Sequence, residues 1–400
     1  MELKLKSAIL IFIVLPFISA SLIPESSVTT EKLVKKHGYS IEEHQVQTAD
    51  GYILTMHRIP YSPKLNNSLV EDKPIVFLQH GLLCSSSDWV LLGPESALAY
   101  LLSDQGYDVW MGNARGNRYS RKHAKYSPTL LKFWNFDWNE IAIHDLPAMI
   151  DYILFTQNQT QVTYAGHSQG TTTYLVMSSM IPNFASKIRS AHLLSPVAFM
   201  GNMESTLVYL LAPVLGHPNG LVEVLGSAEF LPNTQVMEIL GQKACSDEAK
   251  YQELCANVLF LIAGYDDENL NRTMIPEILA VTPAGASVHQ ITHYLQEFRS
   301  GYFRQFDHFY YRNKKRYGSY SPPNYDLKQL TAPVHFYYGT NDKLASVTDV
   351  MKLAGSVPKS ALKGNYKVPH EKFNHLDFIW AIHVKELLYD KVIKDINSYF

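Results

Sequence analysis

The chain has 400 residues, and with 46% of them hydrophobic and only 18% charged it can bury a large core, which excludes a disordered chain. Its formal net charge of −2 offers no basic excess to neutralise a polyphosphate, so nucleic-acid binding is set aside.

Lys4 and Lys6 precede an apolar stretch, residues 7–20, that ends in small side chains. This pattern predicts a secretory signal over 1–20, cut near Ala20. The stretch contains Pro16 and is shorter than the ~20 residues of a membrane span. No later segment is long and apolar enough to cross a bilayer. Residues 41–48 and 51–59, separated by Asp50-Gly51, predict a hairpin. The run 75–79 (IVFLQ) predicts a strand buried on both faces. A helix is expected over 94–105, a strand over 107–110, a Gly/Asn/Arg loop at 112–117 and a helix over 139–156. Strand 161–165 runs into Gly166-His167-Ser168-Gln169-Gly170, followed by helix 171–180 and strand 190–194.

This alternation predicts an α/β fold with a mostly parallel sheet covered by helices on both faces. It stops over 199–325, a stretch rich in aromatics, Gly and Pro. It resumes with strand 334–338 (VHFYY), helix 346–355, strand 365–369 and helix 376–396. The chain therefore divides into a core (21–198 and 326–400) and an inserted cap (199–325). The cap is expected over the carboxyl ends of the strands, where open α/β sheets bind ligands.

Gly166-His167-Ser168-Gln169-Gly170 has the strand–turn–helix context of a nucleophile elbow. Gly166 and Gly170 leave room for the sharp turn, and Ser168 stands at the positive end of the following helix. A serine hydroxyl needs a base, and in this fold the chain order is serine, acid, histidine. Asp342 directly follows strand 334–338 and His375 follows the last strand. His375 is the expected general base and Asp342 its orienting acid. His370, His383 and His167 are the competing histidines. His370 ends a strand, His383 is expected inside a helix, and His167 points away from the serine on so tight a turn. Asp326 precedes the strand and Asp349 falls in a helix. The amides of Leu82, in His80-Gly81-Leu82-Leu83, and of Gln169 are the expected oxyanion donors.

Three cysteines allow at most one bridge. Cys245 and Cys255 lie close enough to close a small loop, which would leave Cys84 as a small buried thiol. Asn66, Asn158 and Asn271 begin glycosylation sequons. Residues 207–212 and 258–263 read as cap packing or as an acyl-chain wall. Trp134, Phe136 and Trp138 read as surface packing or a lipid contact, and Arg115 and Arg118 as structural ion-pair residues. No metal or nucleotide motif is present, so no cofactor is expected.

The stretches ADGYIL (49–54), VFLQHGLL (76–83), GYDVWMGNARGN (106–117), DLPAMIDYI (145–153), GHSQGTT (166–172), HFYYGTNDKLA (335–345) and FNHLDFIW (373–380) resemble the acid lipase family that contains gastric and lysosomal lipases. The likeness is collinear and runs over nearly the whole chain after the signal, with the cap matching less well than the core. It implies an α/β-hydrolase that cleaves neutral lipid esters, triacylglycerols or sterol esters, at a lipid–water interface. It also implies Ser168, Asp342 and His375 as the triad, Leu82 and Gln169 at the oxyanion hole, a cap with a mobile lid, and a Cys245–Cys255 disulfide in that cap. A soluble carboxylesterase on short acyl esters shares the same machinery, and a serine peptidase on this fold is a weaker rival. A non-catalytic hydrolase-like binding protein would be expected to have lost a triad or oxyanion residue, and every one is present. The expected destination is outside the cell, with the lysosome as the alternative. The terminus Asn397-Ser398-Tyr399-Phe400 is no KDEL-type retention signal.

Overall fold

The computed structural model describes residues 26–205, 209, 228–245 and 252–400. The expected signal at 1–20 and all of 207–212 except Tyr209 lie outside the described residues. Apolar runs become strands in chain order: β1 (Glu42–Gln47), β2 (Tyr52–Ile59), β3 (Ile75–Gln79), β4 (Asp108–Gly112), β5 (Lys122–His123), β6 (Val162–His167), β7 (Ile188–Leu194), β8 (Glu229–Phe230), β9 (Ala286–Ser287), β10 (Val334–Tyr338) and β11 (Leu362–Lys367). The main sheet has the order β1-β2-β4-β3-β6-β7-β10-β11, with β5 beside β2. β1 and β2 form an antiparallel hairpin around Asp50-Gly51, and β2 meets β4 antiparallel. From β4 to β11 every pairing is parallel. β8 and β9 form a separate antiparallel pair.

Side chains alternate across a strand, and β3 serves two cores. Ile75 and Phe77 pack on one face with Trp110, Tyr164 and Leu193. Val76 and Leu78 pack on the other with Val109, Ala165 and Tyr337. Helices 146–156 and 169–180 cover the first face, and helices 98–103 and 390–397 the second. The edge strands β1 and β11 instead alternate between half-buried and exposed residues. The carboxyl ends of the parallel strands thus form one rim, with the residues after β3, β6, β7, β10 and β11 beside each other.

Three expected helices differ. The helix expected over 94–105 begins only at Leu98, because Gly93 takes a left-handed φ of 78° and its carbonyl closes turns with Ser96 and Ala97. The helix expected over 139–156 contains a π segment, Ile141–Asp145, before Pro147, whose ring and missing N–H disfavour a regular turn. The segment 376–396 is broken after Trp380. There Ala381 bridges to Leu270 and Ile382 donates to the Asn269 carbonyl, so contacts with a distant segment draw the backbone out of the helix.

Between β7 and β10 the described residues include the helices Gln235–Ala244, Gln252–Ala263, Ile275–Val281, Val288–Ser300 and Tyr310–Tyr317. Cys245 and Cys255 are disulfide-bonded, and Cys84 is a buried free thiol. Residues 258–263 end the helix that starts at Gln252. Trp134, Phe136 and Trp138 are all buried, so packing replaces the lipid-contact alternative. Trp138 stacks on His293 with ring centroids 3.6 Å apart. Arg115 is buried, paired with both Asp50 and Asp145. Arg118 donates instead to the carbonyls of Ser26 and Val28. Among the described residues no helix is long and apolar enough to cross a membrane.

Candidate active site

β6 leads directly into helix Gln169–Met180, and Ser168 occupies the junction at φ 52° and ψ −117°. An L-residue held at positive φ costs of order 1–3 kcal/mol, so the surroundings must enforce the turn. A β-carbon on Gly166 would come within 2.8 Å of the Gly170 carbonyl carbon, and one on Gly170 within 2.3 Å of the Gln79 carbonyl oxygen. Only glycine permits strand, turn and helix to approach this closely. The Tyr164 hydroxyl donates to the Gly170 carbonyl at 2.6 Å and anchors the first helical turn.

Ser168 Oγ lies 2.7 Å from His375 Nε2. On the other side of the ring, His375 Nδ1 lies 2.9 Å from Asp342 Oδ2 and 3.0 Å from Oδ1. The structure thus joins three residues from separate loops at one rim. His375 and Asp342 are buried and Ser168 is half-buried. Burial opposes ionisation of Asp342, yet the facing imidazole, together with hydrogen bonds from His375, Ser195 and the Ala345 amide, holds its pKa below the ordinary carboxylate value. Asp342 Oδ1 accepts from the Leu344 and Ala345 amides at 2.9 and 2.8 Å. An ionised carboxylate facing Nδ1 places the ring proton there and leaves Nε2 free to accept the serine proton.

The loop after β3 runs beside the serine, since a β-carbon on Gly81 would sit 3.1 Å from Ser168 Cβ. His80 Nε2 accepts from the Ala114 amide at 3.1 Å, so its proton is on Nδ1, which donates to the Gly81 carbonyl at 2.7 Å. Burial lowers the His80 pKa to about 4 and keeps the ring neutral. In a trans peptide the carbonyl and the next N–H point opposite ways, so holding the Gly81 oxygen also fixes the direction of the Leu82 N–H. Among the described residues neither the Leu82 nor the Gln169 amide has a hydrogen-bond acceptor. Gln169 opens its helix, where backbone N–H groups lack an intrahelical partner.

Two parts of the 199–325 stretch reach this rim. Gln290, on helix Val288–Ser300, accepts from Gln169 Nε2 at 2.7 Å. Ile291 and Leu295 of the same helix pack with Leu82, Phe230 and Phe298. The end of helix Gln252–Ala263 meets the other side, where the Ala263 carbonyl accepts from the Lys343 and His375 amides.

The competing residues lie elsewhere. His370 faces Asp266 and Glu268, and His383 is exposed in a turn. Asp349 receives the Asn202 amide, and Asp326 caps a short 3-10 helix. His167 has a part that sequence reasoning missed. Its Nε2 donates to the His375 carbonyl at 3.0 Å, and burial lowers its pKa to about 3, which keeps it neutral. Ser195 was also missed. It directly follows β7, and its Oγ lies 2.5 Å from Asp342 Oδ2 and 2.7 Å from His375 Nδ1. The one available signal was a hydroxyl at the end of a buried parallel strand, in Leu194-Ser195-Pro196.

A mostly parallel sheet, a glycine-flanked elbow and a serine–histidine–carboxylate chain at the carboxyl rim define a serine hydrolase of the α/β-hydrolase class. The family profile described as "alpha/beta hydrolase fold" matches residues 74–381, and that of a partial alpha/beta-hydrolase lipase region matches residues 30–93. The chain is 54% identical to Lipase 3 of Drosophila melanogaster over 92% of each chain. It is 37% identical to gastric triacylglycerol lipase of Homo sapiens over 94% of this chain and 92% of that one. A putative lipase from Sulfolobus solfataricus shares the fold at a TM-score of 0.60 and 13% identity, covering 90% of this chain and 94% of that one. The chain belongs to the acid lipase family.

Proposed function

We propose that this chain is a secreted lipase that hydrolyses neutral lipid esters, triacylglycerols foremost and sterol esters as a second class, through an acyl-enzyme on Ser168. The observation that carries this reading is the unbroken chain from Ser168 Oγ through His375 to Asp342, at 2.7 and 2.9 Å. His375 Nε2 takes the serine proton as Oγ attacks the ester carbonyl carbon. The carbonyl oxygen becomes an oxyanion and receives the Leu82 and Gln169 amide hydrogens, each donor contributing about 3–4 kcal/mol to the transition state. The tetrahedral intermediate then expels the alcohol, which His375 protonates. Water enters, gives its proton to His375 and attacks the acyl carbonyl. Ser168 departs and regains its proton, releasing the fatty acid.

Residues 199–325 act as the cap over this reaction. The packing of Leu82 against Ile291, Leu295, Phe230 and Phe298 supports an apolar berth for an acyl chain beside the oxyanion donors. Names of relatives such as gastric triacylglycerol lipase support the same substrate class. The disulfide fits an oxidising destination. Asn66 and Asn158 are exposed and Asn271 is half-buried, and all three stand as glycan positions.

The test compares wild-type and Ser168→Ala protein on emulsified long-chain triacylglycerol and on soluble short-chain esters. The proposal expects preference for the emulsion and loss of both activities in the variant with its fold intact. Preference for monomeric short esters would make the protein a carboxylesterase, and retained activity in Ser168→Ala would remove the nucleophile.

A further inference from the structure

Ser195 lies between the strands that deliver the nucleophile and the acid. β7 pairs with β6 on one side and β10 on the other. The Leu194 carbonyl accepts the Ser168 amide at 3.1 Å, and the Ser195 amide donates to the Tyr337 carbonyl at 2.8 Å. One turn of backbone is thereby tied to both partners. Ser195 itself has a φ of 53° and precedes Pro196. Left-handed backbone is unfavourable for a residue with a β-carbon, and a following proline restricts it further. Glycine would fit this backbone better, so the serine side chain must serve some purpose other than local stability.

We infer that Ser195 is a positioning residue for the Asp342–His375 pair, its hydroxyl fixing the carboxylate that orients the base. This rests on the reading of Ser168, His375 and Asp342 given above. The carboxylate is clamped from two directions. Oδ1 is held by the Leu344 and Ala345 amides at 2.9 and 2.8 Å, and Oδ2 by the Ser195 hydroxyl at 2.5 Å. An ionised carboxylate only accepts, so the single Ser195 proton goes to Asp342. The Ser195 lone pairs then face His375 Nδ1 at 2.7 Å and share its proton with the carboxylate. Without the hydroxyl, Oδ2 keeps only His375 as a partner among the described residues, and the carboxylate is held firmly on its Oδ1 side alone. Ser195 is not a second nucleophile, because it is fully buried and on the Nδ1 side of the ring, opposite Ser168.

Two variants separate this role from backbone strain. Ser195→Gly removes the hydroxyl and relieves the positive φ, whereas Ser195→Ala removes the hydroxyl and keeps it. On a soluble p-nitrophenyl ester both are expected to lower kcat roughly tenfold, which is about 1.4 kcal/mol in the barrier. KM should stay within about twofold, since no substrate contact is lost. Fluorophosphonate labelling of Ser168 should slow by the same factor. Ser195→Gly should melt at or above the wild-type temperature. Wild-type kcat in either variant, a loss carried by KM alone, or a loss confined to Ser195→Ala would overturn the inference. Ser168→Ala serves as the reference: if it keeps activity on this ester, the reading of the site fails. If it is inactive while Ser195→Gly is fully active, only the role of Ser195 fails.

Discussion

Gly170 approaches the carbonyl of Gln79 so closely that a β-carbon on it would lie 2.3 Å from that oxygen. The helix carrying the Gln169 amide is therefore seated on the end of β3, and the two proposed oxyanion donors share one rigid joint. Its nearest atoms, Gln79 O, Gln79 C and His80 O, are all backbone, so a methyl group cannot be absorbed by a rotamer change. Gly170→Ala is expected to lose at least about 1–3 kcal/mol to overpacking and nearly all esterase activity. Thermal melting and kcat on a soluble ester check this, and a variant with wild-type values would show that the joint is soft.

Arg115 is the anchor of the β1–β2 hairpin. Its guanidinium meets Asp145 at 2.6 Å and Asp50 at 2.6 Å and lies 4.0 Å above the Tyr52 ring. Removing one partner of a buried pair leaves the other charge uncompensated, and Asp145 is fully buried. Arg115→Ala is expected to cost about 3–5 kcal/mol in urea unfolding. Arg115→Lys should recover little of it, because an ammonium cannot serve both carboxylates in the forked geometry.

His80 holds the peptide that presents the Leu82 N–H. Truncating it to alanine frees the Gly81 carbonyl, and one of the two proposed oxyanion donors loses its aim. An activity loss of roughly 10–100-fold in kcat is expected, below the 10²–10³ of losing a donor outright. Single-turnover acylation rates measure it directly. An unchanged rate would mean that the loop keeps its direction without the imidazole.

Asp377 makes stability depend on pH in an unusual sense. Burial, aided by nearby Asp266 and Asp342, pushes its carboxyl up to about 9 from an ordinary 3.8. The folded chain therefore keeps a proton that the unfolded chain has released above pH 3.8. This contribution is complete below that pH and is lost as pH rises through about 9. Asp377→Asn imitates the protonated form. It should match wild-type stability near pH 3 and exceed it increasingly toward pH 9. Melting temperatures across that range test it, and parallel curves for the two proteins would exclude the effect.

The most apolar elements were the most legible in the sequence. IVFLQ and VHFYY are β3 and β10 with the expected bounds, because a strand buried on both faces admits little else. Ser168, His375 and Asp342 stand together because each follows its own parallel strand, and chain order alone places such residues on one rim. The break after Trp380 was hidden because Leu270 and Asn269, which cause it, lie more than a hundred residues earlier. The part of His80 in holding the Gly81 carbonyl was hidden because its tautomer is set by the Ala114 amide, which follows the neighbouring strand. Ser195 stayed invisible for a related reason. Its importance comes from β7 lying between β6 and β10, and the adjacency of β7 to β10 spans the whole insertion.

β10 and β11 are made well after the elbow, and they carry the loops of Asp342 and His375. Until they add to the sheet edge, Ser168 lacks its proposed base, however well its elbow has formed. A nascent chain of this kind is chemically silent toward the lipids around it. The proposed ability to attack an ester arrives only once the segment bearing Asp342 and His375 has joined the sheet.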